Sequence, residues 1–195
     1  MRITQREITA MFRLLGNGSL KTKLAALVVV ISAVAGLFYT GAAGGHGVIE
    51  GRVVSVADGD TITVLALGNS PEKIRFAFID APEKAQAHGQ AAKHALSARV
   101  FGRQVKVEVV EKDRYGRNVG RVWLDNVDIN LAQVQDGYAW HYAQYAKKNQ
   151  SGSDFSAYES AQQHARQQHL GLWADPNPTA PWEYRRSKRE DGNGN

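Results

Sequence analysis

Five polar residues stand out by type and spacing: Asp60, Arg75, Asp80, Glu83 and Arg117. Asp60 ends the turn Asp58-Gly59-Asp60 and opens an alternating segment, whereas Asp80 and Glu83, in Asp-Ala-Pro-Glu, follow another. Taken singly, each has an ordinary explanation. Asp-Gly is a common hairpin turn, and a carboxylate before a proline at a strand end is commonly a turn residue. Taken together they say more. If the segments 60–67 and 73–79 are antiparallel neighbours, the start of one lies near the end of the other, and Asp60 approaches Asp80. Two carboxylates that close repel unless a cation stands between them. Such oxygen ligands suit calcium or magnesium, and an irregular set that includes a backbone carbonyl favours calcium. Arg75 shares a strand face with Ala77 and Ile79, an awkward place for a charge without an anionic ligand. Arg117 follows the Tyr115-Gly116 turn in a loop.

The segments that must position these residues alternate in the manner of strands. Val48–Val56 is Val-rich, Asp60–Leu67 carries β-branched residues, and Lys73–Ile79 follows a Gly-Asn-Ser-Pro turn. Three strands with short turns make a meander. Residues 88–101 are Ala-rich and read as a helix with Ala91, Ala95, Leu96 and Val100 on its buried stripe, ended by Gly102. Gln104–Val110 and Val119–Leu124 are two further strands. The loop Asp113-Arg114-Tyr115-Gly116-Arg117 lies between them. A short helix over Asp128–Gln135 and a longer one over Ser153–His169 complete the order, with Ser156 and Glu159 at capping-box spacing. The expected fold is therefore mainly β, of the α+β class: a five-stranded oligonucleotide-binding (OB-fold) barrel with about three helices. The Pro-rich, charged residues 176–195 read as a flexible tail.

The 195 residues carry a formal net charge of +5, with 43% hydrophobic and 22% charged residues, and no cysteine. This composition fits a globular chain and excludes disulfides and thiolate metal centres. The charge is not spread evenly. Residues 1–49 carry +4, residues 183–195 carry +1, and residues 50–182 are neutral overall. Recognition of a polyanion by the middle of the chain must then rest on placed arginines rather than on a broadly positive surface.

No charged residue occurs between Lys23 and Glu50. As a helix, Leu24–Ala43 would be about 30 Å long and would cross a bilayer. The basic segment 1–23 before it places the N-terminus in the cytoplasm and the rest of the chain outside it, periplasmic or extracellular. An uncleaved anchor, a cleaved signal segment ending near Thr40–Ala43 and a buried helix are the competing readings. A cleaved segment would give a secreted domain. Residues 44–47 then form a linker, and the folded domain runs over 48–175.

In order and spacing, Asp-Gly-Asp-Thr (58–61), Arg-x4-Asp-x-Pro-Glu (75–83), Asp-x-Tyr-Gly-Arg (113–117) and Leu-Gly-Leu-Trp (170–173) resemble the staphylococcal nuclease, or thermonuclease, family. The resemblance covers roughly residues 48–175. It implies a calcium-dependent endonuclease that hydrolyses phosphodiester bonds of DNA and RNA, single strands favoured, and leaves 3′-phosphate ends. Carried over by motif, Asp60, Asp80 and the backbone oxygen of Ala81 would hold Ca2+. Glu83 would act on the attacking water, and Arg75 and Arg117 would hold the phosphate. Tyr115 and Arg114 would lie beside the substrate, with Tyr142 or Tyr145 as a second pocket tyrosine. Residue 81 is Ala where the best-known member has Thr, which a backbone ligand tolerates. A monomeric catalytic domain with no protein partner is expected. The alternative is a non-catalytic nucleic-acid-binding module of the same barrel, tethered to the membrane by residues 24–43. Such modules lose the acids and arginines, whereas all five are present here.

Overall fold

The computed structural model describes residues 47–192. Strand β1 (Val48–Val56) pairs antiparallel with β2 (Thr61–Ala66), and β2 with β3 (Pro71–Phe76). On its other side β1 pairs antiparallel with β5 (Gln104–Lys112), which pairs in turn with β6 (Asn118–Leu124). The sheet closes where β3 and β6 pair in parallel, with Ile74 opposite Asn118, Arg75 opposite Val119 and Phe76 opposite Gly120. The result is a closed five-stranded barrel of mixed pairing, OB-fold-like as expected. Inward residues of alternating strands fill it. Val53, Ile62, Val64, Ile74, Val107 and Val122 are all buried, each side chain contributing about 1.5–3 kcal/mol of apolar transfer.

The third strand is shorter than expected. It stops at Phe76, and Ala77-Phe78 turn the chain, with Phe78 at φ 68°. Asp80 belongs instead to β4 (Ile79–Asp80), which pairs antiparallel with β8 (Trp140–His141) away from the barrel. The buried amide of Asn130 fixes this break. It donates to the carbonyls of Ala77 and Gly120 and accepts from the Val122 N–H. Backbone groups that would have continued the ladder are thereby satisfied by a side chain.

Helix α1 (Gly89–Val100) covers one side of the barrel, but its buried stripe is Gly89, Ala92, Leu96 and Val100. Ala91 is exposed and Ala95 half-buried, so the expected stripe was one residue out of phase over its first turn. After the short β7 (Val127–Asp128), Asp128 caps helix α2 (Ile129–Gln135) by accepting from the Leu131 N–H. The same carboxylate accepts from Arg121 Nε at 2.7 Å and from the Tyr158 hydroxyl at 2.7 Å. It thus ties β6 and α2 to helix α4 (Gly152–Gln167), which follows the one-turn α3 (Ala143–Ala146). Ser151 caps α4, whereas Ser156 lies inside it and bonds back to the Gly152 carbonyl, so the Ser156–Glu159 spacing is not its cap.

Gly137 and Gly171 lock the Leu-Gly-Leu-Trp segment in place. Both have left-handed φ, 73° and 54°, and a Cβ on either would stand 2.2 Å from a carbonyl oxygen of the other segment. Only glycine meets both demands. The chain then forms α5 (Pro181–Gly192), a twelve-residue helix where a loosely ordered tail was expected. Proline at its first position and Glu183 in its first turn favour this start. The buried Ala180 and Pro181 dock it to the domain.

The apolar segment 24–43 lies outside the described residues, as do residues 1–23. Among the described residues no helix is long and apolar enough to cross a membrane. The expected membrane partner, and the anchored placement outside the cytoplasm, are corrected accordingly.

Candidate active site

The strand register brings the scattered acids and arginines together. Thr61 stands opposite Arg75, and the Phe76 N–H donates to the Asp60 carbonyl at 2.8 Å. Arg75 therefore projects beside Asp60. Its Nη1 lies 2.6 Å from Asp60 Oδ1 and its Nη2 2.6 Å from Asp80 Oδ1. Asp60 and Asp80 are buried, at 1% and 0% exposure, so their charges depend on partners rather than on water. Asp60 also accepts from the Thr61 hydroxyl and, through Oδ2, from the Ala81 N–H at 2.7 Å.

The turn before Asp60 is positioned from two sides. Gly59 packs so closely that a Cβ would stand 2.7 Å from the Cβ atoms of both Ala81 and Ala92. The buried Gln133 of α2 donates Nε2 to the Gly59 carbonyl at 3.0 Å. This glycine serves close approach, because its φ is not left-handed. Asp58 Oδ1 accepts from the Asp60 N–H at 3.1 Å. Burial pushes the Asp60 carboxyl up to about 7; Arg75 opposes the rise, and Asp58 and Asp80 add to it. Desolvation works against the Arg75 charge, but Asp60 and Asp80 outweigh it and hold the guanidinium protonated above the ordinary arginine value.

Arg75 also faces an open cleft of about 630 Å³, whose walls carry Arg114, Tyr115, Arg117, Tyr142 and Tyr145. Closure of β3 on β6 sets this wall, because Asn118 opposite Ile74 leaves Arg117 at the same barrel edge as Arg75. Arg117 is held by its own loop: Nε donates to Asp113 Oδ2 at 2.6 Å, and its N–H and that of Tyr115 donate to Oδ1 at 2.9 Å. Desolvation opposes the Asp113 charge, but these bonds outweigh it and lower its pKa. Tyr115, 69% exposed, has Arg114 at 4.9 Å and Arg117 at 5.6 Å from its ring centre, both in cation–π range. Both tyrosine candidates line the cleft, and Tyr142 stacks on Tyr145 at 6.1 Å.

Two expectations need correction. The cation between Asp60 and Asp80 is the Arg75 guanidinium. Among the described residues no three His, Cys, Asp or Glu side chains are grouped to hold a metal ion, so a ready-made metal-binding centre is not present. Glu83 does not line the cleft. It accepts from Arg185 of α5, which also bonds both oxygens of Asp80. The sequence does not single out Arg185 as a site residue, nor Gln133, Asn130 and Trp182, whose ring stacks on Tyr142 at 5.2 Å. The signal available for α5 was Pro181 followed by Trp-Glu-Tyr-Arg-Arg, a helix start with two aromatic anchors.

The donor chemistry fits a hard cation. The oxygens are carboxylates, and Asp58, Asp60, Asp80 and Glu83 outnumber the two guanidiniums of Arg75 and Arg185 that contact the group. The arrangement can hold positive charge behind the cleft and negative charge in front of it.

A family model described as "Staphylococcal nuclease homologue" matches residues 73–175. The chain is 44% identical to an "Uncharacterized endonuclease" of Haemophilus influenzae over 138 residues, covering 71% of this chain and 74% of that protein. It is 40% identical to a "Micrococcal nuclease" of Shigella flexneri over 153 residues, covering 74% and 84%. It is 38% identical to "Protein ParB" of Escherichia coli over 156 residues, covering 74% and 85%. With the barrel, the ordered motifs and these matches together, the chain belongs to the staphylococcal nuclease family.

Proposed function

We propose that this chain is a calcium-dependent endonuclease that hydrolyses phosphodiester bonds of DNA and RNA, favours single strands and leaves 3′-phosphate ends. The observation that carries the reading is the double role of Arg75, which spans two buried carboxylates and faces a cleft walled by Arg117 and Tyr115. A phosphodiester in the cleft would meet the Arg75 guanidinium from β3 and that of Arg117 from the loop between β5 and β6. Arginine's planar fork matches two phosphate oxygens, and charge building on them in the transition state is neutralised without proton transfer. Glu83 is the proposed acceptor of the water proton. Asp60, Asp80 and the Ala81 carbonyl are the proposed holders of calcium, which when bound supplies further positive charge at the scissile phosphate. Tyr115, with Arg114 beside it, offers an exposed ring on which an unstacked base can lie, with Tyr142 and Tyr145 on the other wall.

The test is cleavage of single-stranded DNA and of RNA by the full chain, with calcium or with chelator, followed by analysis of the ends. Cleavage is expected with calcium only, with 3′-phosphate termini. Binding of both nucleic acids without any cleavage would favour a binding module instead.

A further inference from the structure

Arg185 reaches the acids from a helix that lies beyond the 73–175 family match. Its Nη1 stands 2.8 Å from Glu83 Oε1 and 3.1 Å from Asp80 Oδ1, and its Nη2 2.7 Å from Asp80 Oδ2. The contact is delivered by docking rather than by a wandering surface side chain. Trp182 stacks on Tyr142 and meets the edge of Trp140 at 5.5 Å. Just before the helix, Gln86 Nε2 donates to the Thr179 carbonyl at 2.6 Å.

A guanidinium has five donors and no acceptor. Asp80 Oδ1 accepts from both Arg75 and Arg185, and Oδ2 accepts from Arg185, so both oxygens of this carboxylate are already engaged. Without Arg185 the same four carboxylates would face one guanidinium, Arg75. Positive charge at this place also repels an arriving cation.

We propose that Arg185 is an internal competitor for the cation: it and a divalent ion exclude each other at Asp80 and Glu83, so α5 sets the calcium concentration at which the site fills. This inference rests on the calcium reading above. In that reading, withdrawal of Arg185 frees Asp80 for the ion and Glu83 for the water proton in one movement. The guanidinium meanwhile keeps the buried Asp80 charge paired when calcium is scarce.

Calorimetric titration of calcium into the full chain tests it, with wild type beside Arg185→Gln and Arg185→Lys, folding being checked by circular dichroism. Arg185→Gln removes the charge and is expected to bind calcium roughly tenfold to a hundredfold more tightly. Arg185→Lys keeps the charge but loses the fork, and is expected to gain about threefold. If Arg185→Gln does not fold, the lysine variant carries the test. Equal or weaker affinity in the folded variants, with wild type still binding calcium and cleaving DNA, overturns the role of Arg185 alone. Absence of calcium binding in all three proteins overturns the calcium reading and the competition together.

Discussion

Arg75 and Asp60 meet across neighbouring strands, Nη1 to Oδ1 at 2.6 Å, because the β2–β3 register sets Thr61 opposite Arg75. The same guanidinium holds Asp80 with its other nitrogen. Arg75→Ala should therefore leave the buried Asp60 without a guanidinium, Asp80 keeping that of Arg185, and cost about 3 kcal/mol in chelator. Urea unfolding with and without calcium checks this. The loss should shrink when calcium is added, since a cation then replaces part of the missing charge.

Asp60 gives the stability a pH dependence. Its folded pKa, about 7, lies above the ordinary 3.8. Between those values the folded state binds more protons than the unfolded one, so the stability contributed by neutral Asp60 is full below pH 4 and is lost as pH rises through 7. Thermal melts in chelator should show this decline for wild type, and Asp60→Asn should remove it. Calcium affinity should run the other way, weakening as pH falls below 7.

Arg117 is expected to matter for rate and little for folding. It sits in a loop, and its backbone bond to Asp113 survives side-chain truncation. Arg117→Ala should lower cleavage by ~10²–10³ while the melting temperature stays within a few degrees. Single-turnover kinetics beside a melting curve checks both halves of the statement.

The barrel was largely legible in the sequence because strand alternation and turn residues are local signals. The helix phase over Ala91 and Ala95 was not, since an Ala-rich segment offers no contrast between its faces. The break of strand three at Phe76 was invisible for a different reason: its cause, the Asn130 amide, lies 53 residues away. The site shows the same division. Order and spacing pointed to Asp60, Arg75, Asp80, Glu83 and Arg117, but their pairing depends on register. A carboxylate pair suggested a metal, and the fold supplies Arg75 between them. Arg185 was hidden because it stands among other charged residues of α5 and contacts Asp80 from 105 residues away.

Gly59 tests the positioning of the acids. Gly59→Ala would drive a methyl into Ala81 and Ala92. Overpacking of this kind costs about 1–3 kcal/mol, and it should displace Asp60 from Arg75. Cleavage is expected to fall further than stability alone explains, as shown by activity measured well below the melting temperature.

Tyr115 tests the cleft wall. It is exposed and its ring packs chiefly against Arg114 and Arg117. Tyr115→Ala should weaken binding of single-stranded DNA by about 1–3 kcal/mol, as expected for one lost base stack. The change should appear in KM more than in kcat, with no loss of thermal stability.

Cutting of nucleic acid by these carboxylates and arginines, rather than mere binding, is the proposed activity. Plasmid nicking by the chain, wild type beside Glu83→Gln, with calcium and with chelator, tests this. Wild type should nick in calcium and not in chelator, and the variant should lose ~10²–10³ in rate. Nicking that survives the chelator, or near-normal nicking by Glu83→Gln, would contradict it.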